Sequence, residues 1–120
     1  MRVKIYGIKN CDTMKKAFAW LDKNGVEYEF HDYKKAGVPP GRLKAWAKPA
    51  GWEALANTRG PTWRKIPEAQ REKLTEARML ALLEAHSSAI RRPIVEAGGK
   101  LLVGFDPDEF ARALSPRSSS

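Results

Sequence analysis

RVKIYGIKNCDTMKKAFAWLDKNGVEYEF, residues 2–30, decides the fold. Its opening, residues 2–8, alternates: Val3 and Ile5 point to one side and Lys4 and Tyr6 to the other, the period of a β-strand. Residues 9–11 leave that pattern and a helical one replaces it. Met14, Ala17, Phe18 and Leu21 stand at i, i+3, i+4 and i+7 and make one apolar stripe, while Lys15, Lys16, Asp22 and Lys23 lie off it. Gly25 is placed to end the helix as the residue just past its C-cap. Residues 26–30 then read as a second strand, with Val26, Tyr28 and Phe30 facing together. Strand, helix and strand in that order make a βαβ unit, whose strands are expected to be parallel with a right-handed crossover.

From Val38-Pro39-Pro40 to about Ala89 the pattern turns helical. Leu43 and Trp46, then Trp52 and Leu55, repeat at i, i+3, and NTRGPTWRKIP (57–67) reads as a loop between them and the next helix. That helix is expected over Glu76–Ala85, with Thr75 as N-cap and Met79, Leu80, Leu82 and Leu83 as its apolar contacts. Strand signals return at Pro93-Ile94-Val95 and Leu101-Leu102-Val103, and Ala97-Gly98-Gly99 marks a hairpin turn. Asp106, Pro107 and Glu109 form a helix start: a cap, a proline at the first helical position and an acid three residues past the cap. Phe110, Ala113 and Leu114 supply that helix with an apolar face.

The order is β-α-β, a helical block, then β-β-α. Without the block this is the connectivity of the thioredoxin fold. The expected class is therefore α/β: a thioredoxin-like fold with a mixed four-stranded sheet and an inserted helical subdomain. The block, about 39–89, is too small for a separate core, so residues 1–114 read as one domain. Residues 115–120, SPRSSS, read as a disordered tail.

Composition narrows the function classes. The chain has 120 residues, 42% of them hydrophobic, enough for a core. No apolar run approaches the ~20 residues of a membrane span, and the N-terminus has no apolar signal region, so no membrane partner and a cytoplasmic location are expected. A net charge of +8 favours anionic partners such as phosphate-like oxyanions, glutathione or acidic protein faces. The basic residues form no stripe or recognition-helix pattern, so nucleic acid is not an expected partner.

Cys11 is the single cysteine. An internal disulfide is impossible, and with His31 and His86 far away in sequence no metal site is expected. Cys11 falls where the first strand gives way to the first helix. Unpaired N–H groups and the positive end of the helix dipole meet there, and both lower a thiol below its free pKa of about 8.5. Lys15, one turn on, adds positive charge. Asn10 and Thr13 flank the cysteine as candidate hydrogen-bond donors to the thiolate or its adduct. His31, His86, Trp46, Trp52 and Trp63 read as packing or surface residues.

The stretch Tyr6-Gly7-Ile8-Lys9-Asn10-Cys11-Asp12-Thr13-Met14-Lys15-Lys16-Ala17 resembles the nucleophile loop of the arsenate reductase (ArsC)/Spx family, in its YffB-type branch. The resemblance continues through Asn57-Thr58-Arg59-Gly60, Trp63 and Arg91-Arg92-Pro93-Ile94-Val95, and spans essentially the whole chain. It implies a glutathione-coupled thiol reductase fold. In the family's arsenate reductases a Cys thiolate attacks an oxyanion held by arginines, and glutathione resolves the adduct. Carried over, Cys11 matches the nucleophile, Arg59 the arginine of the insert and Arg92 the arginine before the proline. Pro93 matches the proline that is cis in thioredoxin-like folds. Guanidinium groups suit this work because they bind oxyanions, or the carboxylates of glutathione, in bidentate fashion.

The sequence also departs from the family. Where the arsenate reductases carry a third arginine, after the hairpin, it has Val103 followed by Gly104. Lys15 replaces an arginine, and Gly7 replaces the histidine ahead of the cysteine. Met14 stands where the Spx branch has the second cysteine of Cys-x-x-Cys. A monothiol must be resolved by an external thiol. The expected function is a glutathione-dependent monothiol reductase, with glutathione as co-substrate, no metal, and an anionic small molecule or disulfide as substrate. The alternatives are arsenate reduction proper and a non-enzymatic, Spx-like regulator that binds RNA polymerase.

Overall fold

In the computed structural model, which describes residues 3–39 and 41–114, Val3–Gly7 forms strand β1 and Asp12–Lys23 forms helix α1. Met14, Ala17 and Leu21, the expected stripe, are buried. The helix ends as the sequence implies, with Asn24 as C-cap and Gly25 beyond it at φ +66°. The second strand, β2, is Tyr28–Asp32 rather than 26–30. The Val26 N–H donates to the Leu21 carbonyl (2.9 Å), so Val26 belongs to the turn off α1 and pairing begins at Tyr28. A short helix, α2 (Tyr33–Ala36), follows directly.

The chain divides into two compact units. One comprises the segments up to Ala36 and from Arg92 onward, and the other is Gly37–Arg91. The second is helical: α3 (Arg42–Ala50), a 3-10 turn at Trp52–Leu55, α4 (Pro61–Lys65), α5 (Glu68–Arg71), α6 (Glu76–Ala85) and a 3-10 turn at Ser87–Ala89. The segment 57–67, which reads as a loop, contains α4. Pro61 opens it at a position where the missing N–H is of no consequence. Thr75 caps α6 as expected, its Oγ1 accepting from the Arg78 N–H (3.3 Å). Trp46 and Trp63 are buried within this unit.

In the first unit, β3 (Ile94–Ala97) and β4 (Lys100–Val103) form the hairpin. Ala97 stays in the ladder, and the turn is Gly98-Gly99 alone, both at positive φ (53° and 82°), which tight two-residue hairpins require. The last helix, α7 (Pro107–Leu114), starts on Asp106, whose Oδ1 accepts from the Asp108 N–H (2.9 Å).

The sheet order is β2-β1-β3-β4, with β1 and β2 parallel and the other pairs antiparallel. This mixed four-stranded sheet with its helices is the thioredoxin-like fold. Val3, Ile5, Val95 and Ala97 point from the sheet into a core with Met14, Ala17 and Leu21 of α1 and Phe110, Ala113 and Leu114 of α7. Each large apolar side chain so buried contributes about 1.5–3 kcal/mol. Phe110 is fully buried, with the rings of Trp20 and Phe105 edge-on to it at 5.4 and 4.9 Å. No helix among the described residues is long and apolar enough to cross a membrane. The expected tail, 115–120, lies outside the described residues, as do Arg2 of the first strand reading and Pro40.

Candidate active site

Beyond β1 the chain turns through Ile8, Lys9 and Asn10 to Cys11, the N-cap residue of α1, in extended conformation (φ −132°, ψ 132°). Its carbonyl accepts from the Lys15 N–H (2.9 Å), so the helix starts at this residue. The thiol is half-buried and free. Burial pushes its pKa up, and is the largest single influence. Against it act a hydrogen bond from the Met14 backbone, the charge of Arg92, a hydrogen bond from the Thr13 backbone and one from the Arg92 side chain. Together they outweigh burial, and the thiol sits below its ordinary value. The helix N-terminus thus acts as the sequence suggests, through its unpaired N–H groups.

Arg92 reaches the thiol because of strand register. Tyr6 of β1 pairs with Ile94 of β3 in antiparallel sense, so the residues before Ile94 run alongside those after Tyr6. The Arg92–Pro93 bond is cis, and the Pro93 carbonyl accepts from the Gly104 N–H (2.8 Å). Val103, the nearest match by resemblance to the arsenate reductases' third arginine, pairs with Ile94 at this end of the sheet. Its side chain is apolar and half-buried.

The other expected site residues fall on several elements of the two units. Thr13 is exposed in the first turn of α1, and its backbone serves the thiol. Asn10 and Lys15 line a groove with residues of β2. Arg59 belongs to the helical unit, where it is exposed on the turn closed by the Gly60 N–H donating to the Asn57 carbonyl (3.2 Å). His31 is half-buried with its ring against Tyr6 (5.4 Å) and Tyr33 (6.1 Å), and His86 is the C-cap of α6.

Two features beside the site are not legible in the sequence: the burial of Tyr33 and the packing of Met14, the residue in place of a second cysteine, against Gly7. Tyr33 is 3% exposed, and its hydroxyl has no hydrogen-bond partner among the described residues. Burial and the charges of Tyr6 and Glu96 push its pKa far up, with Arg92 opposing them. Met14 is fully buried, and its thioether lies against Gly7: a Cβ there would come within 2.5 Å of Met14 Sδ and 2.7 Å of Cε. Among the described residues, no three His, Cys, Asp or Glu side chains are grouped to hold a metal ion.

The model of the ArsC family matches residues 6–113. The chain belongs to the ArsC family. The solved structure of the YFFB protein superimposes with a TM-score of 0.90 at 49% identity, covering 93% of this chain and 98% of that one. An uncharacterised protein of Haemophilus influenzae is 37% identical over 113 residues, 94% of this chain and 99% of its own length. The global transcriptional regulator Spx of Streptococcus pneumoniae is 29% identical over 111 residues, 91% of this chain and 82% of its own length.

Proposed function

We propose that this ArsC-family protein is a glutathione-dependent monothiol reductase with Cys11 as its nucleophile. The observation behind the reading is the half-buried thiol at the start of α1, held below its ordinary pKa by the Met14 and Thr13 backbone and by Arg92. In a mixed disulfide RS–SG, the Cys11 thiolate attacks the glutathione sulfur. The S–S bond breaks, RS⁻ leaves and takes up a proton, and Cys11–S–SG forms. A second glutathione thiolate attacks that adduct, giving glutathione disulfide and restoring the Cys11 thiolate. The net change is RS–SG + GSH to RSH + GSSG: the RS sulfur is reduced to a thiol, the second glutathione's sulfur is oxidised to the disulfide level, and Cys11 is regenerated unchanged. Arg92 binds a glutathione carboxylate beside the thiol, and the backbone at Pro93 receives the extended tripeptide. Asn10, Thr13 and Lys15 assist around the adduct. Arg59 is a second candidate for the anionic group, on the family resemblance. The insertion at about 39–89 forms one functional domain with the rest of residues 1–114. A reducing cytoplasm is the compartment such chemistry needs.

Arsenate reduction proper has less support, because Val103 stands where a third anion-binding arginine is needed. A regulator that binds RNA polymerase is favoured by the likeness to Spx. Yet Met14 removes the dithiol switch of that branch, and a binding role makes no use of a lowered thiol pKa. Intact mass spectrometry with oxidised and then reduced glutathione tests the reading. One glutathione adduct on Cys11, removed by excess glutathione, with steady turnover of a mixed disulfide, is the expected result. A thiol that forms no adduct would move the function to the binding reading.

A further inference from the structure

A groove of about 640 Å³ opens in the thioredoxin-like unit between α1, β2 and α2, beginning one residue from the nucleophile. Its size is that of small-molecule sites, roughly 300–1,000 Å³. Phe18 of α1 and Tyr28 and Phe30 of β2 give it an aromatic wall. Tyr28 lies nearly parallel to Phe18 (5.5 Å, 18°) and Phe30 edge-on to it (5.0 Å, 80°). All three rings are half-buried, although a closed core would cover them. The Tyr28 hydroxyl is tied to the Asp22 carboxylate, which with burial raises its pKa and keeps it a neutral phenol.

The groove's charge is one-sided. Lys9, Lys15 and Lys35 line it against a single acid, Asp32. One oxygen of Asp32 is already engaged by the Lys34 N–H (2.9 Å). A site with aromatic walls and excess positive charge complements a flat, apolar group bearing a negative charge. Its position also fits the thiol. Cys11, Lys15 and Phe18 are spaced i, i+4, i+7 along one side of α1, and Asn10 joins the groove to the nucleophile. Arg92 approaches Cys11 from the β3 side, whereas the groove lies on the β2 side, where the sheet ends.

We propose that this groove seats the leaving half of the disulfide, and that this half is an aromatic thiol carrying a carboxylate or similar anionic group. The proposal rests on Cys11 acting as the nucleophile and adds the substrate class. In the exchange, the sulfur of the aromatic half takes the electron pair of the broken S–S bond and departs as a thiolate, its ring on Phe18 and Phe30 and its charge against Lys9 and Lys35. Lys9 and Lys35 distinguish this substrate from others.

The test compares two disulfides in single-step reaction with Cys11, with no glutathione present. One is 5,5′-dithiobis(2-nitrobenzoate), aromatic and anionic, and the other is hydroxyethyl disulfide, aliphatic and neutral. In the variant carrying Lys9→Gln and Lys35→Gln, the preference for the aromatic disulfide is expected to fall by about fivefold or more, with the hydroxyethyl disulfide rate unchanged. An unchanged preference, or equal loss of both rates, overturns the proposal. A second arm titrates 2-naphthoate into the Cys11→Ser protein and follows backbone amide shifts. Saturable shifts at residues 9, 10, 18, 30 and 35 are expected, and shifts elsewhere or a non-saturating response overturn it. Should Cys11 react with neither disulfide, the reductase reading fails, and the naphthoate titration still decides whether the groove binds such anions.

Discussion

Arg92 acts on Cys11 in two ways, by charge and by a side-chain hydrogen bond, and both oppose the burial of the sulfur. A positive neighbour favours the charged form of an acid, so removing it lets burial push the thiol back up. In the wild-type protein, the rate of iodoacetamide alkylation is expected to rise with pH at a lower inflection than that of a free cysteine. In Arg92→Ala the inflection moves to higher pH, and alkylation at neutral pH slows by about threefold or more. Arg92→Lys recovers part of the loss, since the charge remains without the fork of donors. A pH–rate profile of the three proteins is the measurement. The importance of Arg92 is legible in sequence only through the family pattern. Its contact with Cys11 depends on the register of β1 with β3, which no local stretch encodes.

At the scale of elements, the strand, helix and strand of residues 2–30 are legible because their periods differ and because Gly25 interrupts them. The hairpin is legible from Gly98-Gly99 and the last helix from Asp106-Pro107. The helical unit is less so. Its helices α4 and α5 span Pro61–Lys65 and Glu68–Arg71, too short for an apolar period to repeat, and their prolines read as breaks. The junction of β1 and α1 offers a direct test of packing. Gly7→Ala places a methyl where Met14 Sδ lies, and overpacking of this kind costs about 1–3 kcal/mol. Met14→Ala empties a fully buried site and costs about 2–5 kcal/mol. The double variant is expected to be more stable than the sum of the two losses implies, because each change relieves the other. Urea denaturation of the four proteins measures the coupling.

For the whole molecule, a net charge of +8 is a long-range property. It draws anionic reactants toward the protein before any contact forms, and salt screens it over about 10 Å at 0.1 M. The rate of Cys11 with glutathione disulfide, which is anionic, is expected to fall several-fold between low and high ionic strength. The rate with hydroxyethyl disulfide should stay level. Stopped-flow traces at a series of salt concentrations give both slopes. Composition announces this much, but not the place where the charge gathers. Lys9, Lys15 and Lys35 are scattered in sequence among other lysines. They meet around Phe18, Tyr28 and Phe30 only because β2 pairs in parallel with β1 and α2 then turns back at Tyr33.

The seating of Met14 against Gly7 bears on how readily this site could take a second thiol. A cysteine at position 14 would be two heavy atoms shorter than methionine and would leave a void beside a residue that has no side chain to fill it. Converting this monothiol site to a dithiol one without loss of packing thus takes two linked changes, a cysteine at position 14 and a side chain at position 7. Either single step passes through a less stable intermediate, cramped when a side chain is added at position 7 and hollow when one is shortened at position 14. The monothiol character of the site is thus built into its packing as well as its chemistry, and an engineered second thiol at position 14 is tolerated best when position 7 is filled as well.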